Sequence, residues 1–264
     1  MRKYQTAVLF TALITMSFKT IAQNDLGVSP LKDVTSLNKD IEKQLANRLH
    51  VFDFKLWEQG YDITTHKLTD SIKEFKNLEL LSIISKELEE IPASIGELKK
   101  LRKIILSGTK IKYLPASITQ LKSLTNLEVA AGALEKLPAE IDNLQSLKVL
   151  NVGYSKLKVL PENVYKLYNL ELLLLKGCAI TKISNKIQQL QHLKTLDFSF
   201  CKLTDFPTGI LKLQELEVLI FNDNNIMQLP DLSPLKKLRK LIIDKKKYDV
   251  DTLKKQLPPG CEII

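Results

Sequence analysis

Residues 147–169 read LKVLNVGYSKLKVLPENVYKLYN, and residues 170–192 repeat the same pattern as LELLLLKGCAITKISNKIQQLQH. Each unit starts with a leucine that recurs every 23 residues, with one final interval of 22 residues. These leucines are Leu78, Leu101, Leu124, Leu147, Leu170, Leu193, Leu216 and Leu238. Self-similarity at a fixed period of this length predicts a solenoid built from stacked copies of one short unit.

The spacing within each unit predicts a short strand followed by one helical turn. Leu147, Leu150 and Val152 follow the pattern L-x-x-L-x-L, so alternate residues point to one face of a strand. Val164 and Leu167 lie three residues apart, which is the spacing of one helical or 3₁₀ turn. One unit cannot bury its apolar side alone. Stacked copies bury a continuous core, and their strands then align in one parallel sheet.

In these positions the chain resembles the leucine-rich repeat family, in its form with 23-residue repeats and a Leu-Pro pair in the convex half. The resemblance implies an α/β fold: a right-handed solenoid, curved like a horseshoe, with a parallel concave sheet and a helical N-terminal cap. The family also places Asn or Cys after the strand, where the side chain hydrogen-bonds the backbone of the turn. Cys178, Cys201 and Asn224 fit this column.

Three residues depart from the family pattern. Lys86 and Gly132 occupy the Asn/Cys column, so we expect irregular turns near the N-terminal end. Ser184 replaces the proline of the convex half. The other repeats have that proline at Pro92, Pro115, Pro138, Pro161, Pro207 and Pro230.

Residues 1–22 are predicted to form a signal peptide. Arg2 and Lys3 provide a positive start, an apolar core follows, and small residues precede a cleavage point after Ala22. We therefore expect an exported protein, in the periplasm, on the cell surface or in the medium. The chain has neither cysteine-rich caps nor an N-glycosylation sequon, which indicates a bacterial origin.

The rest of the chain is predicted to form one elongated domain with a cap at each end. Residues 23–77 are predicted as an N-terminal cap with a degenerate first repeat, 78–243 as the solenoid, and 244–264 as a C-terminal cap. Apolar residues at helical spacing predict a helix over 29–49 and another over 248–257. The last four residues are predicted to add a short edge strand.

The three cysteines do not form a disulfide framework. Cys178 and Cys201 occupy the same column of adjacent repeats, and stacked strands lie within the Cα distance of a disulfide. Their side chains are expected to point inward in parallel, which suits two thiols better than a bridge. We therefore predict buried free thiols, with Cys261 unpaired in the terminal cap.

The sequence contains no recognisable catalytic or cofactor motif. The three histidines lie outside any metal-ligand spacing, and no P-loop, G-x-S-x-G or G-x-G-x-x-G occurs. We therefore predict no enzyme activity, no cofactor and no metal. The net charge of +9 falls to +6 when the signal peptide, with Arg2, Lys3 and Lys19, is removed. Scattered lysines without interleaved aromatics argue against nucleic-acid binding.

The predicted concave face is the remaining candidate for function. Apolar side chains on its outward columns would form a continuous exposed patch, as is typical of a partner site. The predicted binding residues are Val149, Asn151, Tyr154, Leu172, Leu174, Asp197, Phe200, Val218, Ile220, Asn222 and Asp223. The expected partner of a monomeric chain is a protein or peptide, without a transmembrane span. Two alternatives stay open: a carbohydrate or cell-surface binder, and a face where such residues merely suit a strand.

Overall fold

The strands of the repeats join into one parallel sheet in which each strand pairs with the next one along the chain. The computed structural model describes residues 53–57, 68 and 70–264, all within one compact unit, Asp33–Ile264. Ten strands lie in this part of the chain. They are β1 (Asp53–Trp57), β2 (Leu80–Ile84), β3 (Lys103–Ser107), β4 (Asn126–Ala130), β5 (Val149–Asn151), β6 (Leu172–Leu174), β7 (Thr195–Asp197), β8 (Val218–Ile220), β9 (Lys240–Ile242) and β10 (Glu262–Ile263).

Short 3₁₀ helices form the convex half of the repeats. Several of them begin directly after a proline, such as Pro115 with φ −63° and ψ 142°, because proline fixes φ and needs no N–H partner at that place. The 3₁₀ helices are Asp70–Glu74, Ala93–Glu97, Ala116–Gln120, Ile141–Asn143, Glu162–Lys166, Asn185–Gln189, Thr208–Lys212 and Lys245–Lys247. None of the helices in the described part of the chain combines the length and the apolar character needed to cross a membrane.

The repeating leucines form the core between the sheet and the 3₁₀ helices. The middle residues of consecutive strands are register partners, as in the run from Leu127 through Leu150 and Leu173 to Leu196. Each of these four side chains is 0% exposed, and burying a leucine contributes about 1.5–3 kcal/mol. The predicted leucine-rich repeat solenoid is therefore confirmed.

The two ends of the solenoid add strands of their own. β1 pairs with β2 in parallel, so the degenerate first repeat extends the sheet, whereas the predicted signal peptide (1–22) and cap helix (29–49) lie outside the described residues. At the other end β10 pairs with β9, as the sequence predicted. The predicted C-terminal helix is shorter than 248–257. It forms α1 (Val250–Lys255), because Asp249 caps its start by accepting bonds from the next backbone N–H groups.

The turns after the strands differ between the first and the last repeats. In the last, Asn224 donates from Nδ2 to the carbonyls of Phe198 (2.8 Å) and Phe221 (3.0 Å), which is the expected role of this column. In the first, Ser85 rather than Lys86 is the buried residue, and its Oγ accepts a bond from the next turn. The prediction of an irregular first turn is therefore confirmed.

Candidate functional site

Two columns of side chains alternate with the buried core and cover the concave face of the sheet. The strand register places Leu80, Lys103, Asn126, Val149, Leu172, Thr195, Val218 and Lys240 in the first column. The second column holds Ser82, Ile105, Glu128, Asn151, Leu174, Asp197, Ile220 and Ile242. Both columns match the sequence prediction residue for residue.

Five apolar residues of these columns remain partly accessible to solvent and form what we call the apolar patch. They are Val149, Leu172, Leu174, Val218 and Ile220. The patch is not continuous, as the sequence analysis expected. Strand β7 lies between β6 and β8 and places two polar residues, from Thr195 to Asp197, in the columns. The apolar surface therefore has two parts, one on β5 and β6 and the other on β8.

Asp197 and Asn151 serve the local backbone as well as the concave face. The Oδ1 atom of Asp197 accepts bonds from the backbone N–H (2.9 Å) and the hydroxyl (2.6 Å) of Ser199. Asn151 Oδ1 likewise accepts from the N–H of Gly153 at 3.1 Å. Asp197 is only 8% exposed, so the prediction that it forms part of an exposed polar rim is wrong. Its carboxylate is turned into the turn that follows the strand.

The residue two positions after these strands adopts a left-handed backbone conformation in six consecutive repeats. The positions and φ values are Gly108 (69°), Ala131 (54°), Tyr154 (55°), Gly177 (70°), Phe200 (54°) and Asp223 (56°). Glycine adopts this conformation without strain, whereas an ordinary L-residue loses about 1–2 kcal/mol there. Two bulky aromatic residues therefore stand where the backbone favours glycine.

Tyr154 and Phe200 flank one lysine, and we call these three residues the aromatic–lysine cluster. Lys176 Nζ lies 5.6 Å from the centroid of the Tyr154 ring and 5.2 Å from that of the Phe200 ring. Tyr154 is 55% exposed and Phe200 is 48% exposed. Gly177 lies between them, and a Cβ there would come within 2.5 Å of Tyr154 Cδ1. The ring of Tyr154 therefore covers this glycine.

The predicted site included Tyr154 and Phe200 but not Lys176, which the sequence placed only after its strand. The signal that could have found the cluster is the 23-residue interval, because Tyr154, Gly177 and Phe200 occupy one column. The interval does not show which way a long lysine side chain turns. The structure shows Lys176 between the two rings.

A polar group lies one repeat beyond Phe200. Asn222 donates from Nδ2 to Asp223 Oδ2 at 2.5 Å, and the backbone N–H of Asp223 donates to Asp244 Oδ2 at 2.9 Å. Lys247 Nζ forms an ion pair with Asp244 at 2.9 Å. The predicted residues Asn222 and Asp223 thus lie together, and Asp244, which the sequence analysis missed, holds their turn.

The inward-facing thiols lie on the other side of the sheet from these groups. Cys178 and Cys201 are free and buried, as predicted, and each donates from Sγ to a backbone carbonyl, of Val152 (3.2 Å) and Leu175 (3.3 Å) respectively. Burial and the neighbouring Cys178 raise the pKa of Cys201 to about 12. Within the described residues no three His, Cys, Asp or Glu side chains are grouped as metal ligands would be.

Two family models match the sequence along the region that forms the sheet. One describes a leucine-rich repeat region and matches residues 34–153, and the other describes a leucine-rich repeat and matches residues 192–213. The chain belongs to the leucine-rich repeat family. No curated protein matches this leucine-rich repeat chain.

Solved leucine-rich repeat structures resemble this chain in fold. A Leptospira interrogans leucine-rich repeat protein matches with a TM-score of 0.64 at 28% identity, covering 80% of this chain and 60% of that one. The chain thus spans about three fifths of that protein. The leucine-rich repeat domain of the type III effector XopL matches with a TM-score of 0.64 at 18% identity, covering 94% of this chain and 88% of that one. The plant peptide hormone receptor RGFR1, in complex with RGF2, matches with a TM-score of 0.55 at 18% identity, covering 73% of this chain and 42% of that one.

Proposed function

We propose that this leucine-rich repeat chain is a non-enzymatic scaffold that binds a protein or peptide on its concave face. The observation that carries the proposal is the apolar patch, which stays partly exposed beside the two exposed aromatic rings. A leucine-rich repeat receptor with the same fold is known in complex with a peptide hormone. That likeness supports a binding role for the fold and says nothing about which ligand this chain takes.

The position of the apolar side chains supports a docking role beyond strand propensity. Leu172 and Leu174 flank the buried Leu173 on one strand, so the same strand presents leucine to the core and to solvent. Exposed leucine contributes little to folding, whereas covering it with a partner contributes about 25 cal/mol per Å² of apolar surface removed from water. Large aromatic residues at the edge of such a surface are typical hot-spot residues.

The chemistry of the described residues fits a scaffold better than an enzyme. The two buried thiols have raised pKa values because burial disfavours their charged form, and thiolates are the reactive species. The carboxylate of Asp197 on the concave face is occupied by Ser199. These groups therefore contribute no base or nucleophile to the concave face.

We infer that the protein acts outside the cytoplasm, in a bacterial envelope or beyond it. The support is the sequence of residues 1–22, with its basic start, apolar core and small residues before Gln23. Full-length chain expressed in a bacterium is expected to lose these 22 residues, which intact-mass measurement of the product detects. Recovery of uncleaved chain in the cytoplasm would contradict export.

The binding face can be tested with charge substitutions on the concave surface. Leu174→Asp and Ile220→Asp are expected to abolish capture of a partner from the extract of the source cells and their medium. They introduce charge that must lose its water when the complex forms. Val159→Asp is the matched control, because Val159 is 70% exposed in the loop that leads to the convex half. Lys122→Glu is a poorer control, since Lys122 Nζ donates to the carbonyl of Asn143 at 2.9 Å.

Unaltered folding must accompany loss of binding, so each variant is compared with the wild type by urea unfolding. If Val159→Asp removed binding and the two concave variants retained it, the partner would use the outer face. The proposed site would then be wrong although the fold is right.

A carbohydrate ligand is the second candidate, and the exposed rings of Tyr154 and Phe200 favour it. Sugars stack on aromatic faces, and Asn222 and Asp223 could hydrogen-bond their hydroxyls. Against it, the ammonium group of Lys176 lies near both rings. Binding to a glycan array that is lost on Tyr154→Ala would favour this candidate over a peptide.

A further inference from the structure

We propose that the aromatic–lysine cluster recognises an acidic side chain, and that the occupant of the concave face is an extended, acidic segment of a partner protein. This inference rests on the proposed function and names the chemistry of its partner. The cluster lies at the edge of the apolar patch, where Tyr154 follows β5 and Phe200 follows β7. One segment that lies across these strands can contact both.

The ammonium group of Lys176 is available to a partner. Other lysines of the chain pair with carboxylates, such as Lys186 with Glu162 and Lys237 with Glu215. Lys176 is in no ion pair within the part of the chain that the structure describes, and its neighbours are the two rings. When a partner excludes water from this surface, a lysine without a counter-charge would lose its hydration uncompensated. A carboxylate from the partner supplies the missing charge.

The surroundings of Lys176 select a carboxylate side chain rather than a phosphate. A phosphate-binding site presents several donors, and backbone N–H groups are the most common among them. Here the N–H groups of Tyr154, Gly177 and Phe200 all donate to carbonyls of the following repeat. One ammonium group between two rings is thus left to bind, which fits a carboxylate flanked by apolar groups.

The strained backbone indicates that the cluster is fixed before a partner arrives. Tyr154 and Phe200 keep φ near 55° although glycine would relax this position. Such strain persists where the surrounding structure holds it, and it is concentrated at binding sites. The same backbone bonds that hold the turns also set the spacing of the rings. A preformed cluster loses little conformational entropy on binding.

The geometry limits the length and polarity of the segment. The four strands from β5 to β8 span three steps of about 4.8 Å each, so roughly four or five extended residues cross them. The acidic residue lies over Lys176, with apolar residues over Leu172, Leu174 and Ile220. Asp223 stands one repeat beyond Phe200, so a second acidic residue at that end would be repelled.

The test uses a phage-displayed library of random twelve-residue peptides, selected on the purified full chain. We expect enriched peptides to carry Asp or Glu between apolar residues. A synthetic copy of the leading peptide is then measured against the wild type, Lys176→Gln and Lys176→Arg. Lys176→Gln is expected to weaken binding about tenfold or more, and Lys176→Arg is expected to retain it. Urea unfolding of each variant shows that the fold is unchanged.

A double-mutant cycle isolates the contact from any indirect effect. Replacing the acidic residue of the peptide by its amide is expected to weaken binding to the wild type about tenfold and to leave binding to Lys176→Gln unchanged. If the peptide change weakens both proteins equally, or if the enriched peptides lack an acidic residue, the inference is overturned.

The selection also separates this inference from the proposed function. Peptides that depend on Leu174 and Ile220 but not on Lys176 would leave the concave face as the binding site and overturn only the acidic recognition. If no peptide is enriched, or if binders are unaffected by Leu174→Asp and Ile220→Asp, both the proposed function and this inference fail.

Discussion

The backbone N–H of Ser184 donates a hydrogen bond of 3.0 Å to the hydroxyl of Tyr165 in the preceding repeat. Tyr165 is 1% exposed, and this N–H is the only hydrogen-bond partner of its hydroxyl among the described residues. Proline, which precedes most of the other 3₁₀ helices, has no N–H to donate. The serine that departs from the repeat pattern therefore satisfies a buried tyrosine.

Ser184→Pro is expected to destabilise the protein, although proline is the usual residue at this place. The Tyr165 hydroxyl would be left buried without a partner, which costs about 1–3 kcal/mol. In a Tyr165→Phe background the same substitution is expected to cost much less, because no hydroxyl then needs a donor. Urea unfolding of the four proteins measures the coupling. Equal costs in both backgrounds would show that the hydrogen bond is unimportant.

Leu173→Ala is expected to lower the free energy of unfolding by about 2–5 kcal/mol through lost transfer energy and a cavity. Leu150→Ala is expected to cost the same, because both side chains are 0% exposed. Leu172→Ala is the matched control, since its side chain lies one residue away on the partly exposed face. Denaturant unfolding measures all three. A loss for Leu173→Ala below about half a kcal/mol would mean that the register is wrong.

The thiols of Cys178 and Cys201 are expected to resist alkylation until the protein unfolds. Burial raises the pKa of both thiols, so little thiolate exists at pH 8. Cys261, which is less buried, is the internal control and is expected to react first. Mass spectrometry after iodoacetamide treatment, with and without urea, measures this order. A peptide pair linked through Cys178 and Cys201 would contradict it.

Glu171 is expected to make stability depend on pH in acid. Ion pairs with Lys194 (2.8 Å) and Lys148 (2.9 Å) lower the pKa of this carboxyl from 4.5 to about 2. Because the folded-state pKa is depressed, its contribution is complete above pH 4.5 and is lost as pH falls toward 2. Both pairs are on the surface and screened by salt, so each contributes less than about 1 kcal/mol.

The measurement compares wild type and Glu171→Gln by urea unfolding between pH 7 and pH 2. The difference between them is expected to shrink as pH falls through this window and as salt is added. Glu162→Gln, which removes the single ion pair with Lys186, is the control and is expected to show a smaller effect. A difference that grows at low pH would contradict the prediction.

Phe200→Gly is expected to separate binding from stability. Glycine relieves a left-handed conformation that costs an L-residue about 1–2 kcal/mol, and the entropy it adds to the unfolded chain offsets part of that gain. The free energy of unfolding is therefore expected to stay within about 1 kcal/mol of the wild type, while affinity for the peptides falls. Thermal unfolding and peptide titration measure the two effects. A large loss of stability would mean that the ring supports the fold.

Much of the fold was predictable because it is written in a local period. The 23-residue interval aligns equivalent residues of successive repeats, so it predicts which residues are register partners and which leucines, such as Leu150, are buried. The burial of Cys178 and Cys201 follows from the same column. The apolar side chains of the candidate site, Leu174 and Ile220 among them, were identified in this way.

The tertiary structure alone decided how individual side chains turn and which neighbours they meet. Asp197 has the position of an exposed residue, yet its carboxylate bends back to Ser199, because the nearby N–H and hydroxyl are better partners than water. Lys176 is brought between two rings only because the turns of three repeats stack with left-handed residues at equivalent positions. A repeated pattern specifies the backbone, since each copy folds alike. Contacts between different side chains of adjacent copies depend on their particular shapes and charges, which no period contains.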